Sequence, residues 1–476
     1  MRRRGIDLSR AARYNIGMKS HRFLPKIAAA AVLCAVLCSL FAGCSDIRDI
    51  YTIDSTDYGL YANYHYSDGS NKMNFSLRGE GGEWVEVSWD TPVTFNTLLI
   101  EESGSHVTEF EIYIGDSLVY SQDEIGDLRL VYLGTVNTTS IRISVKSSDG
   151  AYNLTRLGVY YVPRNRDFAI TDMYYVDPDS DDYLNDGSDF SALAMSTDVI
   201  LTGEPFAYGA DGSISADVSK LAAAVAALKR INPGISVHVL LYAKPETDGL
   251  SAAEVRENAM GDNRVAFGKS VVELLSLSGA DGAIFDFVEN PSVFSHGVFN
   301  DFIEFVRGLI PSPRQLGVYV SHDNATFDDA SKSYIDDFYV VAFGMGDYST
   351  NPASFASACQ VLEKLSDNGV PKAKVQLTIP LFGKALGTEE NSAERETVYR
   401  YRDNDRWLEL GYYDNSLTEN GLTLSFNGYT MIKDKTAFAY GYGMSGVVLV
   451  DYDSDVSYSE ALSLHRAVHA AIDNRN

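Results

Sequence analysis

Ser278-Gly279-Ala280-Asp281-Gly282-Ala283-Ile284-Phe285-Asp286-Phe287-Val288-Glu289-Asn290-Pro291 is the stretch whose reading decides the fold. Upstream of it, Val265, Val271, Val272, Leu274, Leu275 and Leu277 have the spacing of an amphipathic helix over 263–278. A Gly-Ala-Asp-Gly turn follows, then a short apolar run ending in the carboxylates Asp286 and Glu289. Helix, tight turn, and strand with acids at its carboxyl end is how a β/α barrel presents reactive groups on its active face. Side chains alternate along a strand, so Ile284, Asp286 and Val288 share the barrel interior. Glu289 then points away from Asp286, unless a β-bulge before Asn290-Pro291 turns it inward. Proline cannot donate to a ladder, which makes a bulge there compatible with the sequence.

Outward from this stretch, strand and helix patterns alternate from Asp167 to the end of the chain. Strands are expected at 169–175, 198–201, 235–242, 282–287, 315–321, 337–343, 374–382 and 446–451, with helices between most of them, notably 217–231 and 354–368. Eight strands with crossovers over about 310 residues fit one barrel. Pro163-Arg164-Asn165-Arg166 reads as a boundary. Before it, alternating runs at 84–89, 95–101, 110–114, 130–133, 141–145 and 157–161, separated by Gly, Asp, Asn and Ser turns, read as an all-β sandwich.

The first residues read as an address. A basic segment, Met18-Lys19-Ser20-His21-Arg22, precedes an apolar run over 27–40 that is short for a membrane span and ends in small residues. Met18 would make a more typical start than Met1. Leu40-Phe41-Ala42-Gly43-Cys44 resembles the lipobox of bacterial lipoproteins. That resemblance implies lipidation of Cys44 and an extracytoplasmic protein, lipid-anchored to the bacterial cell membrane. A cleaved secretory signal and an uncleaved anchor are the alternatives. The expected organisation is therefore multidomain: a signal peptide over 1–44, an N-terminal jelly-roll sandwich over 45–163, and an α/β TIM (β/α)8 barrel over 164–476.

Composition narrows the function. Cys359 is the one cysteine outside the signal segment, so stability must come from a large core rather than an internal disulfide. The whole chain carries a formal charge of −26; eight bases and one acid precede Ser45, so the remainder carries −33. Such a surface argues against nucleic acid as a partner and is indifferent to neutral glycans.

The stretch at 281–289 resembles the signature strand of glycoside hydrolase family 18 (chitinases and endo-β-N-acetylglucosaminidases), written DGxDxDxE. Its last three acidic slots are occupied here by Ile284, Asp286 and Val288, with Glu289 one residue late. Family members use the substrate's own 2-acetamido oxygen as nucleophile, with a Glu as general acid and base and an Asp that orients the acetamide. The resemblance implies Asp286 in the orienting role and Glu289 as the acid if it reaches the site. Further likenesses cover the whole barrel in layout: Ile231-Asn232-Pro233-Gly234-Ile235 before the third strand, Leu377 to Gly383 with Phe382 in a Tyr slot, and Gly443 to Val450 in the eighth strand. There Val450 replaces the Trp on which the cleaved sugar stacks. Met345-Gly346-Asp347-Tyr348 sits out of register with the family's Met-x-Tyr-Asp, and Lys244-Pro245 stands where the family carries Gly-Gly after the third strand. The sandwich resembles a discoidin-type, galactose-binding-like domain, whose members often bind sugars through loops at one end.

Tyr175, Tyr242, Asp347, Tyr348 and Asp451 are thus candidate substrate-binding residues, and Tyr174 also lies near a strand end. Rings there serve equally as rim packing. Asp451, Asp453 and Asp455 alternate in a way that suits a cation, though such acids more often cap a loop; no metal and no cofactor is expected. Gly268-Lys269-Ser270 lies within a helix pattern and is not a phosphate loop. His465 and His469 have ligand spacing but no catalytic Glu between them, and read as a solvated helix face. The partner implied is a glycan containing β-linked N-acetylglucosamine, cut if Glu289 reaches the site. The alternative is a non-catalytic barrel, with Val288 in the acid slot, that binds carbohydrate or a protein.

Overall fold

The computed structural model describes residues 56–126, 128–162, 167–176, 190–203, 206–242, 250–287, 296–321, 327–341, 354–386, 398–419 and 422–472. The helix leading into the decisive strand runs Arg264–Ser278 and buries Phe267, Val271, Leu274 and Leu275. It stops at Gly279, whose φ of 74° is costly for any residue with a Cβ. In the turn, the Asp281 carboxylate accepts from the Val237 N–H and from Lys229 Nζ, each at 2.9 Å.

The strand that follows, Gly282–Asp286, is the fourth of a closed parallel barrel. The eight strands are β1 (Ala169–Val176), β2 (Asp198–Gly203), β3 (Ser236–Tyr242), β4 (Gly282–Asp286), β5 (Gln315–Ser321), β6 (Asp337–Val341), β7 (Val375–Pro380) and β8 (Gly446–Val450). Each pairs with the next, and β8 closes on β1. Met173, Ile200, Leu240, Ile284, Tyr319, Tyr339, Val341 and Val448 fill the interior, with Tyr242 and Val450 packed on them. Phe285 and Phe287 lie on the other side of β4, buried against Phe267 and Phe302 at ring-centroid distances of 5.3 to 6.0 Å for Phe302 and 5.7 to 6.3 Å for Phe267. Alternation along this strand is therefore regular through Phe287.

A polar layer underlies the apolar one. Thr171 Oγ1 donates to Gln376 Oε1 at 2.7 Å, and Gln376 Nε2 to Asp337 Oδ1 at 3.1 Å. His238 Nε2 meets Asp198 Oδ1 at 3.0 Å. Gly282 leaves room for this layer: a Cβ there would lie 2.5 Å from the Gln315 carbonyl oxygen and 2.8 Å from His238 Nδ1. Gly282→Ala should cost about 1–3 kcal/mol through overpacking. That would appear as a lower urea midpoint at unchanged m-value.

The sandwich is an antiparallel assembly whose two longest strands, Trp84–Glu102 and Leu128–Ser148, pair with each other along most of their length. Val85 to Ser88 pair with Asn63–Tyr66, and Trp84 to Ser88 with 140–144; Thr97 to Glu101 pair with 128–132 and with 156–160. The sequence suggested separate short strands at 84–89 and 95–101, and at 130–133 and 141–145. The chain instead continues through register shifts between Ser88 and Val93 and between Phe95 and Thr97, which place Pro92 at an irregularity that tolerates a missing donor. The expected boundary at 163–164 lies outside the described residues.

Sandwich and barrel meet at the Tyr429–Tyr442 helix, which lies between the last two barrel strands. Asp434 of that helix accepts from Arg129 Nη2 at 3.0 Å, from the Tyr132 N–H at 3.2 Å and from the Tyr120 hydroxyl. Nearby, Gln122 Nε2 donates to the Tyr413 carbonyl at 3.0 Å, and Asn415 Nδ2 to Gln122 Oε1 at 2.6 Å. Among the described residues no helix is long and apolar enough to cross a membrane.

Candidate functional site

A cavity of about 740 Å³ opens at the carboxyl ends of β7, β8, β1 and β2. Strand parity builds its floor: Met173 belongs to the interior layer, and Tyr175, two residues on, rises above it with 45% of its surface exposed. Thr202 comes from the end of β2, and Val450 and Asp451 from the end of β8. The remaining wall comes from a small antiparallel sheet inserted after β7, made of Phe382–Leu386, Val398–Arg400, Ser416–Glu419 and Leu422–Ser425. Phe382, Tyr399, Arg400, Asp403 and Asn404 of this insert face the cavity. Buried Trp407, packed on Tyr401 at 5.0 Å and Phe426 at 4.2 Å, fixes the insert in place.

Asp451 sits at the rim in a left-handed conformation, φ 67°, that few side chains adopt without cost. Its Oδ2 accepts from Ser454 Oγ at 2.6 Å and lies 3.8 Å from Arg400 Nε. The cavity thus offers aromatic surfaces from Tyr175, Phe382 and Tyr399, donors from Arg400 and Asn404, and acceptors from Asp403 and Asp451. Flat apolar faces beside a few fixed polar groups suit a ligand that is apolar on its ring faces and polar at its edges.

No protein-family model and no curated protein matches the chain in sequence. Solved structures do match in three dimensions. The GH18 chitinase ChiB of Flavobacterium johnsoniae superposes with a TM-score of 0.51 at 16% identity, over 65% of this chain and 94% of its own. A mutant class V chitinase from Nicotiana tobaccum, in complex with NAG4, gives 0.52 at 14%, over 64% and 99%. The chitinase-like agglutinin of Robinia pseudoacacia gives 0.50 at 16%, over 63% and 99%. The barrel has the fold of family 18 chitinases.

Two positions matched to family 18 slots in the sequence, Phe382 and Val450, both line the cavity, as do the candidates Tyr175 and Asp451. Asp286 lies half-buried at the end of β4, across the mouth. It follows Ile284 on the interior face and is close enough to add to the effect of burial in raising the Tyr319 phenol. Tyr242 packs on the interior cluster, and its carbonyl accepts from the Tyr208 hydroxyl at 3.0 Å. Neither Asp286 nor Tyr242 is part of the cavity lining. Glu289, Val288, Asp347, Tyr348, Lys244, Pro245 and Cys44 lie outside the described residues.

Three acids whose alternation also suited a cation face separate partners. Asp451 faces Arg400, Asp453 lies 3.9 Å from Arg402 Nη1, and Asp455 meets His465 Nδ1 at 2.6 Å. Tyr174 is buried behind β1 beside Tyr452, away from the mouth. His465, expected on a solvated helix face, is only 3% exposed, because the last helix turns that face toward Asp172 of β1. The insert's Tyr399, Arg400, Asp403 and Asn404 escaped sequence reasoning. The one local signal for them was the Tyr-Arg-Tyr-Arg alternation at 399–402.

Proposed function

We propose that this protein is a surface lipoprotein, anchored through Cys44, that engages β-linked N-acetylglucosamine-containing glycans at the barrel mouth. The organisation that goes with this reading is a signal peptide over 1–44, a galactose-binding-like sandwich over 45–163 and the barrel over 164–476. The observation that carries it is the cavity of about 740 Å³, with aromatic sides and a mixed polar rim, on the face where such barrels hold their ligands. The neighbours in fold support the ligand class: one is a chitinase in complex with NAG4, another a chitinase-like agglutinin.

Tyr175→Ala should weaken binding of N-acetylglucosamine oligomers at least tenfold, about 1.4 kcal/mol, by removing the most exposed aromatic face in the cavity. Fluorescence or calorimetric titration reads this directly. Cys44→Ser should move the protein out of the membrane fraction.

Binding without cleavage is the reading favoured by regular alternation through Phe287, since an inward acid at Glu289 needs a bulge beyond that point. Hydrolysis is the second reading, resting on Asp286 facing the interior. Incubation with N-acetylglucosamine oligomers and with high-mannose N-glycan, read by mass spectrometry, separates the two. Release of sugar that vanishes in Glu289→Gln establishes cleavage. No release from wild type, with release gained in Val288→Glu, identifies an emptied acid slot.

A further inference from the structure

Behind the rim lies a second cavity, of about 330 Å³, backed by Tyr452 and His465 and flanked by Arg402, Asp453, Tyr458 and Glu460. The Tyr452–Ser454 turn separates it from the first: Asp451 and Arg400 face one cavity, Asp453 and Arg402 the other. We propose that it is an independent binding site for a single neutral, hydroxyl-rich ring, such as one pyranose.

Polar groups at this cavity are under-used. Arg402 makes only long ion pairs, 3.9 Å to Asp453 and 3.7 Å to Asp403, and among the described residues neither the Arg402 nor the Asp453 side chain makes a hydrogen bond. Asp453 is half-buried, and burial pushes its pKa up more than Arg402 brings it down. A partly desolvated carboxylate beside a guanidinium that no hydrogen bond holds supplies acceptors and donors for hydroxyls. His465 cannot serve, because both ring nitrogens are held by Asp172 and Asp455.

Mixed charge selects the ligand class. An anion would meet Asp453, Asp455 and Glu460, a cation would meet Arg402, and a neutral polyol satisfies both signs. Tyr458, its ring braced at 90° by His469, adds a partly exposed ring to the wall. The volume is at the small end for ligand pockets, about 300–1,000 Å³, which suits one ring rather than a chain.

The test uses the mature protein in a sugar-free detergent, with N-acetylglucosamine monosaccharide as probe and ligand-observed NMR as readout. In Tyr175→Ala protein, whose mouth is impaired, residual monosaccharide binding should persist. It should weaken at least fivefold on adding Asp453→Asn or Tyr458→Ala, and be retained in Tyr458→Phe. Unchanged unfolding midpoints in these variants show that the fold is intact. Loss of all binding in Tyr175→Ala alone, residual binding indifferent to Asp453→Asn and Tyr458→Ala, or displacement of the sugar by free alanine would overturn the proposal. Failure of the mouth as a glycan site reads differently: oligomer affinity would then be unchanged in Tyr175→Ala.

Discussion

Replacing His465 with glutamine should destabilise the fold by about 3–5 kcal/mol, the cost of leaving buried charges unpaired. The imidazole bridges two carboxylates, Nε2 to Asp172 at 2.8 Å and Nδ1 to Asp455 at 2.6 Å, in a setting where all three residues are nearly inaccessible. Asp455 also accepts from the backbone N–H of Leu464 at 2.9 Å and of His465 at 3.0 Å, so it caps the Leu464–Ile472 helix. Burial alone would lower the His465 pKa, but the two acids outweigh it and hold it up at about 10.

A base with a raised folded-state pKa stabilises fully below its ordinary value of about 6.5, and loses that contribution as pH rises through 10. Lys435 acts in the opposite sense: burial, with Arg129 nearby, drives its pKa down to about 7, so its share of stability grows with pH above 7. The quantity to read is therefore the difference in urea-unfolding free energy between wild type and His465→Gln. It should be largest near pH 6 and shrink toward pH 10. A difference that does not vary with pH would mean that His465 contributes packing rather than charge.

Arg129→Met carries a similar expected loss, about 3–5 kcal/mol, and for the same physical reason. Arg129 and Asp434 are both wholly inaccessible, with the guanidinium also 4.7 Å above the Phe355 ring. Removing Arg129 strands a carboxylate between sandwich and barrel with only the Tyr120 hydroxyl and one backbone N–H. The pair is nonetheless expensive to bury, since Arg129 Nη1 has no hydrogen-bond partner among the described residues. Asp434→Leu added to Arg129→Met should recover most of the loss, because an apolar pair of similar volume avoids desolvating two ions. Chemical denaturation should show this recovery. Additive losses in the double variant would show that the two residues act separately.

Barrel strands were legible because strands covered on both faces read as apolar runs, as Val237 to Leu241 and Val447 to Val450 do. The inward placement of Asp286 followed from parity with Ile284 alone. Partners far apart in the chain were not legible. His465 and Asp172 are separated by 293 positions and Arg129 and Asp434 by 305, so neither pair leaves a local pattern. The insert sheet was missed for a related reason. Its strands are three to five residues long, and Lys384 pairs with Ser425 across a gap that no periodicity spans. In the sandwich, turn-forming residues at Asp90-Thr91-Pro92 lie within a continuous strand, where bulges absorb them.

Glycan engagement at the barrel mouth is tested most directly by calorimetric titration of the mature protein with an N-acetylglucosamine tetramer. A saturable heat, weakened at least tenfold in Tyr175→Ala and unaffected by Asp453→Asn in the neighbouring cavity, is the expected result. No saturable heat, or binding indifferent to Tyr175→Ala, would contradict it.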